Sequence, residues 1–494
     1  MASFPPADDG LEGLLRAWVP GSEFAGLAFA VGGFVRDRLL GLDAKDLDVA
    51  VERAGGAEAL AKALHAAFPD SLSSPHLLGR GYPIWSLSFR EDVRFGGRLY
   101  RTRGEVLEMA DTQAEAFPDP ASRQRVSRYG NLDEDAARRD FTVNMLYLDL
   151  ATGALRDPSG QGLADLRAGR LAGHPVVELE KIFSDDPLRM LRLYRFHSRF
   201  GWEIAASAEA AVVRTRARFS ILSAERVRDE LTKLLLGSHV ARALEGMRRS
   251  GLLAEALPEL LPMVGCGQDA KYHSEGDVWV HTLAVVGSSP ARVAVRWAAL
   301  LHDVGKPATR SEDGDRVKFL GHEQVSASIA AALLARLKVD RSLADDVVRL
   351  VTLHLRGGDS LRWASLKPAR KLAREAGPLL PDLLDLIEAD SRSSLGPDGQ
   401  PRLEHLVALR HALAEALKIP IRERPILDGR SVMECLGIAS GPQLGRVLKE
   451  LREQEDALAA EGLEWSPESA KEWLLSPEGR SRWYDGKKES GRDP

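Results

Sequence analysis

Cysteine is nearly missing from this chain: Cys266 and Cys435 are the only two in 494 residues. A disulfide framework therefore cannot hold the protein together, and a reducing, cytoplasmic compartment is the expected setting. Long apolar runs are also lacking. No stretch approaches the roughly 18 to 20 residues that a membrane-spanning helix needs, and the start, Met1-Ala2-Ser3-Phe4-Pro5-Pro6, has neither the basic nor the apolar region of a secretory leader. No membrane partner is expected. Basic excess is the third absence: 67 Lys and Arg face 72 Asp and Glu, a net charge of -5. The overall basic footprint of a nucleic-acid binder is thus missing. Positive charge is instead local, at Arg138-Arg139, then Arg189, Arg192, Arg195 and Arg199, then Arg214, Arg216 and Arg218. A groove that tracks a phosphate backbone could lie there.

Among the residues present, 44% are hydrophobic, enough for several cores, and three or four domains are expected at about 100 to 200 residues each. The most informative stretch is Val31-Gly32-Gly33-Phe34-Val35-Arg36-Asp37, followed by Asp46-Leu47-Asp48. Two glycines leaving an apolar run let backbone approach phosphates without Cβ obstruction. A strand is expected over 46–51, and residues two apart on a strand share a face, so Asp46 and Asp48 would present both carboxylates together. Such a pair is a hard oxygen site suited to Mg²⁺. Together these elements describe a nucleotidyl-transfer site, in which metal ions activate the attacking hydroxyl and neutralise the leaving pyrophosphate.

The stretch resembles the class II tRNA nucleotidyltransferase and bacterial poly(A) polymerase family, whose first motif reads Gly-Gly-x-Val-Arg-Asp, then Asp-x-Asp. The resemblance implies a small polymerase-beta-like head, metal binding by Asp46 and Asp48, and contacts from Gly33 and Arg36 to the incoming nucleotide. Glu108, in Val106-Leu107-Glu108-Met109-Ala110, occupies the place of a third catalytic acid. The following Asp111-Thr112-Gln113 departs from the family's Thr-x-Arg.

Further motifs follow in the family's order. Arg138-Arg139-Asp140-Phe141-Thr142-Val143-Asn144 matches Arg-Arg-Asp-Phe-Thr-x-Asn in full, and the similarity assigns Arg139 to nucleotide phosphates or sugar, where a planar donor fork suits anionic oxygens. Asp157-Pro158-Ser159-Gly160-Gln161-Gly162 reads as a turn between head and neck. A helix is expected to open at Asp185 in Asp185-Asp186-Pro187-Leu188-Arg189, with Asp186 and Arg189 three apart and adjacent on its surface. One acceptor and one donor set can thus face a base edge that offers an amine beside a ring nitrogen, as cytosine and adenine do. This segment resembles the family's Glu-Asp-x-x-Arg base-templating motif, with Asp185 in the place of Glu and further arginines at Arg192 and Arg195. The helix expected from Ser223 to Leu236 needs no chemical role.

A second chemical pattern lies downstream. His281, Leu301-His302-Asp303-Val304-Gly305-Lys306, His322, His354 and Asp390 are spread over apolar, helical sequence. Burying His and Asp side by side demands compensation, and a bound metal supplies it. The ordered set His281, His302, Asp303 and Asp390 resembles an HD-type metal-dependent phosphohydrolase, with His322 and His354 as further ligands for a second position. Mn²⁺, Ni²⁺, Fe²⁺ or Zn²⁺ suits such donors better than Mg²⁺ alone.

The expected fold class is α+β. A mixed α/β nucleotidyltransferase head spans 20–155, a helical neck with base-templating and RNA-binding elements 156–255, an HD domain 256–415, and a helical C-terminal body with a polar tail from Asp485 spans 416–494. The expected function is template-independent addition of C and/or A from CTP and ATP to a tRNA 3' end, with phosphatase or phosphodiesterase activity in the HD domain. Poly(A) tailing remains open, as does a nucleotide phosphohydrolase whose head only senses nucleotide. Gly79-Arg80-Gly81-Tyr82-Pro83-Ile84-Trp85 departs from the family pattern, which keeps single-nucleotide addition open as well.

Overall fold

The computed structural model describes residues 5, 8–44, 46–78, 83–116, 126–269, 271–314, 316–357, 366–401, 403–418, 421–422 and 425–483. Most of the divergent 79–85 stretch and the tail from Asp485 lie outside the described residues. Two compact units, Met1–Pro258 and Glu259–Pro494, make up the chain.

The first unit is built on a seven-stranded sheet. Its strands are β1 (Ala28–Val31), β2 (Asp48–Val51), β3 (His76–Leu78), β4 (Ile84–Ser88), β5 (Val106–Asp111), β6 (Tyr147–Asp149) and β7 (Leu155–Arg156). The spatial order is β7-β6-β1-β2-β5-β4-β3, and only β2 and β5 of these neighbours run parallel. β1 is buried at every position, as an inner strand covered on both faces must be. The helix α1 (Gly33–Leu39) leaves β1 through Gly32, which sits at φ +67. That left-handed backbone explains the first glycine of the pair.

Two expectations are corrected here, the start of the strand at Asp46 and the loop that the Pro, Ser and Gly between Pro69 and Gly97 suggest. The strand begins at Asp48 and not at Asp46, because ladder pairing with β5 starts at Asp48↔Glu108 and leaves Asp46 in the preceding coil. The stretch between Pro69 and Gly97, expected as a loop, carries β3, β4 and the start of a hairpin of Val93–Phe95 with Arg98–Tyr100. Its apolar residues Leu72, Leu87 and Phe89 are buried, and that burial outweighs the Pro, Ser and Gly around them. Asp111, which departs from the family's motif, accepts from the amides of Gly55 and Ala57 at 2.7 and 2.8 Å and so caps α2 (Gly56–Ala67).

α3 (Leu132–Ala137) lies between β5 and β6, and after the sheet come α4 (Leu179–Asp185), α5 (Leu188–Phe200) and α6 (Ala224–Leu235). α5 packs on α6, and Leu191, Tyr194, Leu231 and Leu234 on the two helices are buried.

The second unit is helical apart from a small hairpin, β8 (Arg310–Asp313) with β9 (Arg316–Phe319). Its helices α7 (Val278–Ser288), α8 (Val293–Leu301), α9 (His322–Arg336), α10 (Arg341–Leu353), α11 (Leu366–Ala376), α12 (Leu380–Ser393) and α13 (Glu404–Ala416) are followed by α14 (Gly429–Leu436), α15 (Pro442–Ala460), α16 (Pro467–Leu475) and α17 (Pro477–Trp483). α8 is the central helix: its Trp297, Ala298, Leu300 and Leu301 are fully buried, and α7, α10 and α12 pack around it. The last four helices close a separate small core of Val432, Val447, Leu451 and Leu474. Among the described residues no helix is long and apolar enough to cross a membrane.

Removing a helix cap leaves amide donors unsatisfied, so Asp111→Ala is expected to destabilise the first unit by about 1 kcal/mol. Urea unfolding followed by tryptophan fluorescence measures this, with the first-unit midpoint moving to lower denaturant.

Candidate active sites

A cleft of about 500 Å³ in the first unit is lined by Gly32, Gly33, Asp46, Asp48, Arg139, Asp186 and Arg189 among others. Arg36, Arg192 and Arg195 line it too. Residues that the sequence places in four separate motifs thus meet at one cavity.

One wall carries carboxylates. Asp46 and Asp48 both reach solvent, and Glu108 lies beside Asp48 on the neighbouring parallel strand. Burial and the Glu108 charge push the Asp48 carboxyl up to about 6, against the pull of Arg139. Carboxylates gathered this closely are relieved of their repulsion by a cation, so the donor set fits a hard divalent ion. Among the described residues these three carboxylates do not form a group as tight as those of the second unit.

Arginines line the same cleft, most of them paired with a carboxylate. Asp135, 1% exposed at its side chain, accepts from Arg139 Nε and Nη2 at 3.1 and 2.9 Å, from Arg138 Nη2 at 2.6 Å and from the Tyr147 hydroxyl at 2.7 Å. Burial would raise the Asp135 carboxyl, but the two guanidinium groups hold it far below the usual range. Arg139 Nη1 is left pointing at Gly32, where a Cβ would meet it at 3.3 Å. A second reason for glycine at this position is therefore the room this arginine needs. Arg192 pairs with Asp140 at 2.6 Å, Arg195 with Glu230 at 2.8 Å and Arg199 with Asp37 at 2.9 Å. Buried beside Arg192, the Arg195 guanidinium is pulled down to about 10. All three guanidinium nitrogens of Arg36 are engaged, by Asp37 and by Asn144, and the group stacks on Phe196 and Phe200. Arg36 therefore organises the cleft floor as well as lining it.

The helix expected to open at Asp185 is in fact broken there. α4 ends at Asp185, Asp186 is extended at φ -141 and ψ 95, and α5 starts at Leu188. Pro187 causes the break, because its ring disfavours the helical conformation in the residue before it. Asp186 and Arg189 still line the same cavity, so the juxtaposition survives although the single helix does not. Arg189 is 9% exposed, and its Nη1 donates to the Ile182 carbonyl at 3.3 Å. The Asp186 carboxylate also accepts from Arg226 at 3.0 and 3.1 Å. Arg226 was missed by the sequence reading: it sits on α6, which appeared to have only a supporting role, and no local pattern marks it.

In the second unit the predicted ligands converge. His281, His302 and Asp390 bring their ligand atoms within 4.8 Å of one another, and so do Asp303, His322 and His354. Asp303 stands between the sets, with Oδ2 at 3.2 Å from His302 Nε2 and Oδ1 at 3.1 Å from His322 Nε2. His302, His322 and His354 each direct Nδ1 to the carbonyl three residues earlier, at 2.8, 2.8 and 2.6 Å. Those contacts make Nδ1 the protonated donor and leave Nε2 as a lone pair. All three Nε2 atoms are buried without a hydrogen-bond partner, which is what imidazoles arranged for a metal require.

The electrostatics agree. Burial would push the Asp303 carboxyl up, but His302, Lys306 and His322 hold it well below its usual range. Burial would likewise lower His281, which Asp390 and Glu275 instead hold up at about 9. Burial and the nearby His302 depress His354 to about 4. Lys306 Nζ contacts Asp303 at 2.7 Å and Gln268 at 2.7 Å. Gly305 cannot be larger, since a Cβ there would lie 2.5 Å from the Ser326 amide nitrogen. A cavity of about 450 Å³ opens onto Asp303, His354 and Asp390. The sequence reading missed His273 and Glu275, which join His281 in a further cluster.

Three segments of the chain match known protein families. Residues 28–172 match the poly A polymerase head domain, 201–263 the probable RNA- and SrmB-binding site of polymerase A, and 272–409 the HD domain. An A-adding tRNA nucleotidyltransferase of Deinococcus radiodurans is 34% identical over 442 residues, covering 86% of this chain and 91% of that protein. A CC-adding tRNA nucleotidyltransferase of Thermus thermophilus is 34% identical over 461 residues, covering 91% and 93%. The crystal structure of the Bacillus stearothermophilus CCA-adding enzyme in complex with CTP shares the fold, with a TM-score of 0.61 at 23% identity over 91% of this chain and 92% of that one.

The orphaned imidazoles generate a direct expectation. Titration with Co²⁺ should produce visible ligand-field bands in the native protein, and His302→Ala or Asp303→Ala should weaken binding by more than about tenfold. Unchanged Co²⁺ affinity in both variants would exclude these residues as ligands.

Proposed function

The chain belongs to the tRNA nucleotidyltransferase and poly(A) polymerase family with an HD domain, and on that premise we propose that it adds C, A or both to tRNA 3' ends without a nucleic-acid template. The observation that carries this reading is the single cleft lined both by Asp46 and Asp48 and by Asp186 with Arg189. Gly32 and Gly33 admit the triphosphate close to backbone, and Arg139 offers it a fixed donor. Asp46, Asp48 and Glu108 would hold Mg²⁺, which supplies activation of the terminal hydroxyl and neutralisation of the departing pyrophosphate. Asp186 accepts from the exocyclic amine of cytosine or adenine while Arg189 donates to the ring nitrogen, and the Arg226 pair keeps the Asp186 carboxylate aimed. Arg192 and Arg195 supply charge that does not depend on the base.

The relatives named as A-adding and CC-adding make partial addition as compatible with this chain as full CCA addition. Incubation with tRNA lacking its 3' end, Mg²⁺ and each labelled nucleotide in turn decides among them. Phosphate release without incorporation would instead favour the phosphohydrolase reading. For the second unit we propose a metal-dependent phosphatase or phosphodiesterase, in which His281, His302, Asp303 and Asp390 would hold Mn²⁺, Ni²⁺, Fe²⁺, Zn²⁺ or Mg²⁺, with His322 and His354 as further ligands for a second position. The metal supplies an activated water for attack on a phosphate ester. The four-part division at 155, 255 and 415 is the domain arrangement we adopt, and the cytoplasm is the compartment.

Asp48→Ala should lower nucleotide incorporation by at least about a hundredfold while leaving thermal unfolding unchanged, since the metal's charge stabilisation is lost. Steady-state incorporation with saturating Mg²⁺ measures it, and retained activity would remove Asp48 from the site.

Arg189→Ala should cost the correct nucleotide about 1 to 3 kcal/mol and narrow its preference over GTP and UTP. Arg192→Ala should slow all four nucleotides alike. Incorporation of each nucleotide by both variants tests this, and an unaltered preference ratio in Arg189→Ala would take the residue out of base selection.

A further inference from the structure

Three of the four histidines at the HD site are oriented by backbone: His302, His322 and His354 each direct Nδ1 to a main-chain carbonyl. No side-chain substitution removes those bonds. His281 differs, because its Nδ1 donates to the Glu275 carboxylate, Oε1 at 2.9 Å. His281 is fully buried, and the Glu275 side chain is 7% exposed. The same oxygen accepts from His273 Nδ1 at 2.8 Å, and Oε2 accepts the Leu395 amide at 3.0 Å. Leu395 follows α12, the helix that carries Asp390. Ser274 reinforces the tie: its amide and its hydroxyl donate to the carbonyls of Leu395 and Gly396 at 3.0 and 2.7 Å. One carboxylate thus links the entry to α7, which bears His281, to the exit of α12. Across that link His281 Nε2 stands 3.1 Å from Asp390 Oδ1.

We infer that Glu275 is a positioning residue of the HD site, fixing the tautomer and orientation of His281 and its spacing from Asp390 so that both present lone pairs to one divalent cation. The inference rests on the metal-dependent phosphohydrolase reading above. The chemistry follows from proton placement. A cation entering between His281 and Asp390 would displace the Nε2 proton that the two share, and Glu275 keeps the remaining proton on Nδ1; without that carboxylate the proton can settle on Nε2 and abolish the ligand. A glutamine at 275 has the same shape but only one acceptor oxygen for three N–H donors, and its amide hydrogens would oppose at least one of them. His273 shares the carboxylate without touching Asp390, so its removal leaves the His281 bond in place.

Co²⁺ affinity measured by absorbance titration, with Mn²⁺ competition, tests the inference on the intact chain. Glu275→Ala and Glu275→Gln should each weaken Co²⁺ binding by roughly 10- to 100-fold and alter the ligand-field bands, whereas His273→Ala should stay within roughly threefold of native. Hydrolysis of a phosphate ester by Glu275→Gln should recover at high metal concentration, which general misfolding would not allow. Native affinity and native bands in Glu275→Gln would overturn the role of Glu275 while leaving the HD reading intact. Absence of Co²⁺ binding by the native protein would overturn that reading, and this inference with it.

Discussion

Seven arginines face one cleft in the first unit: Arg36, Arg139, Arg189, Arg192, Arg195, Arg199 and Arg226. Guanidinium groups packed so closely repel one another and lose hydration, and the cleft can exist only because carboxylates stand behind them. Asp37, Asp135, Asp140, Asp186 and Glu230 fill that role. Pairing of this kind offsets desolvation only where geometry is good and the remaining donors are satisfied. Its product is a surface whose positive donors are fixed before any ligand arrives, and preorganised donors are the ones that stabilise developing charge most effectively.

The same constraint explains the net charge. A chain at -5 overall can still present a basic cleft, since the seven arginines outnumber the five aspartates, Asp37, Asp46, Asp48, Asp140 and Asp186, that line it with them. Charge is therefore informative here by position and not by sum. The second unit solves the opposite problem. The Nε2 atoms of its His302, His322 and His354 are buried without hydrogen-bond partners, an arrangement that would be costly in any core not intended for a cation.

Much of the candidate chemistry was legible in the sequence because the residues are short-range. Gly32-Gly33, Asp46 with Asp48, Arg138-Arg139-Asp140 and His302-Asp303 are local motifs, and local spacing limits what they can do before any fold is known. The departures were also local in cause. Pro187 broke the helix expected to open at Asp185, and a ladder beginning at Asp48 left Asp46 outside the strand.

What the sequence determined by itself was the set of reactive groups, their order and the balance of α and β structure, since these follow from residue chemistry and short-range backbone preference. Only tertiary structure decided which groups work together. Arg226 lies 40 residues from Asp186, Glu108 meets Asp48 through strand register, and Leu395 lies 120 residues from Glu275. Such partnerships are set by how helices and strands pack, and packing is cooperative over the whole core. A residue on an ordinary amphipathic helix, such as Arg226 on α6, carries no local mark of the carboxylate that it will hold.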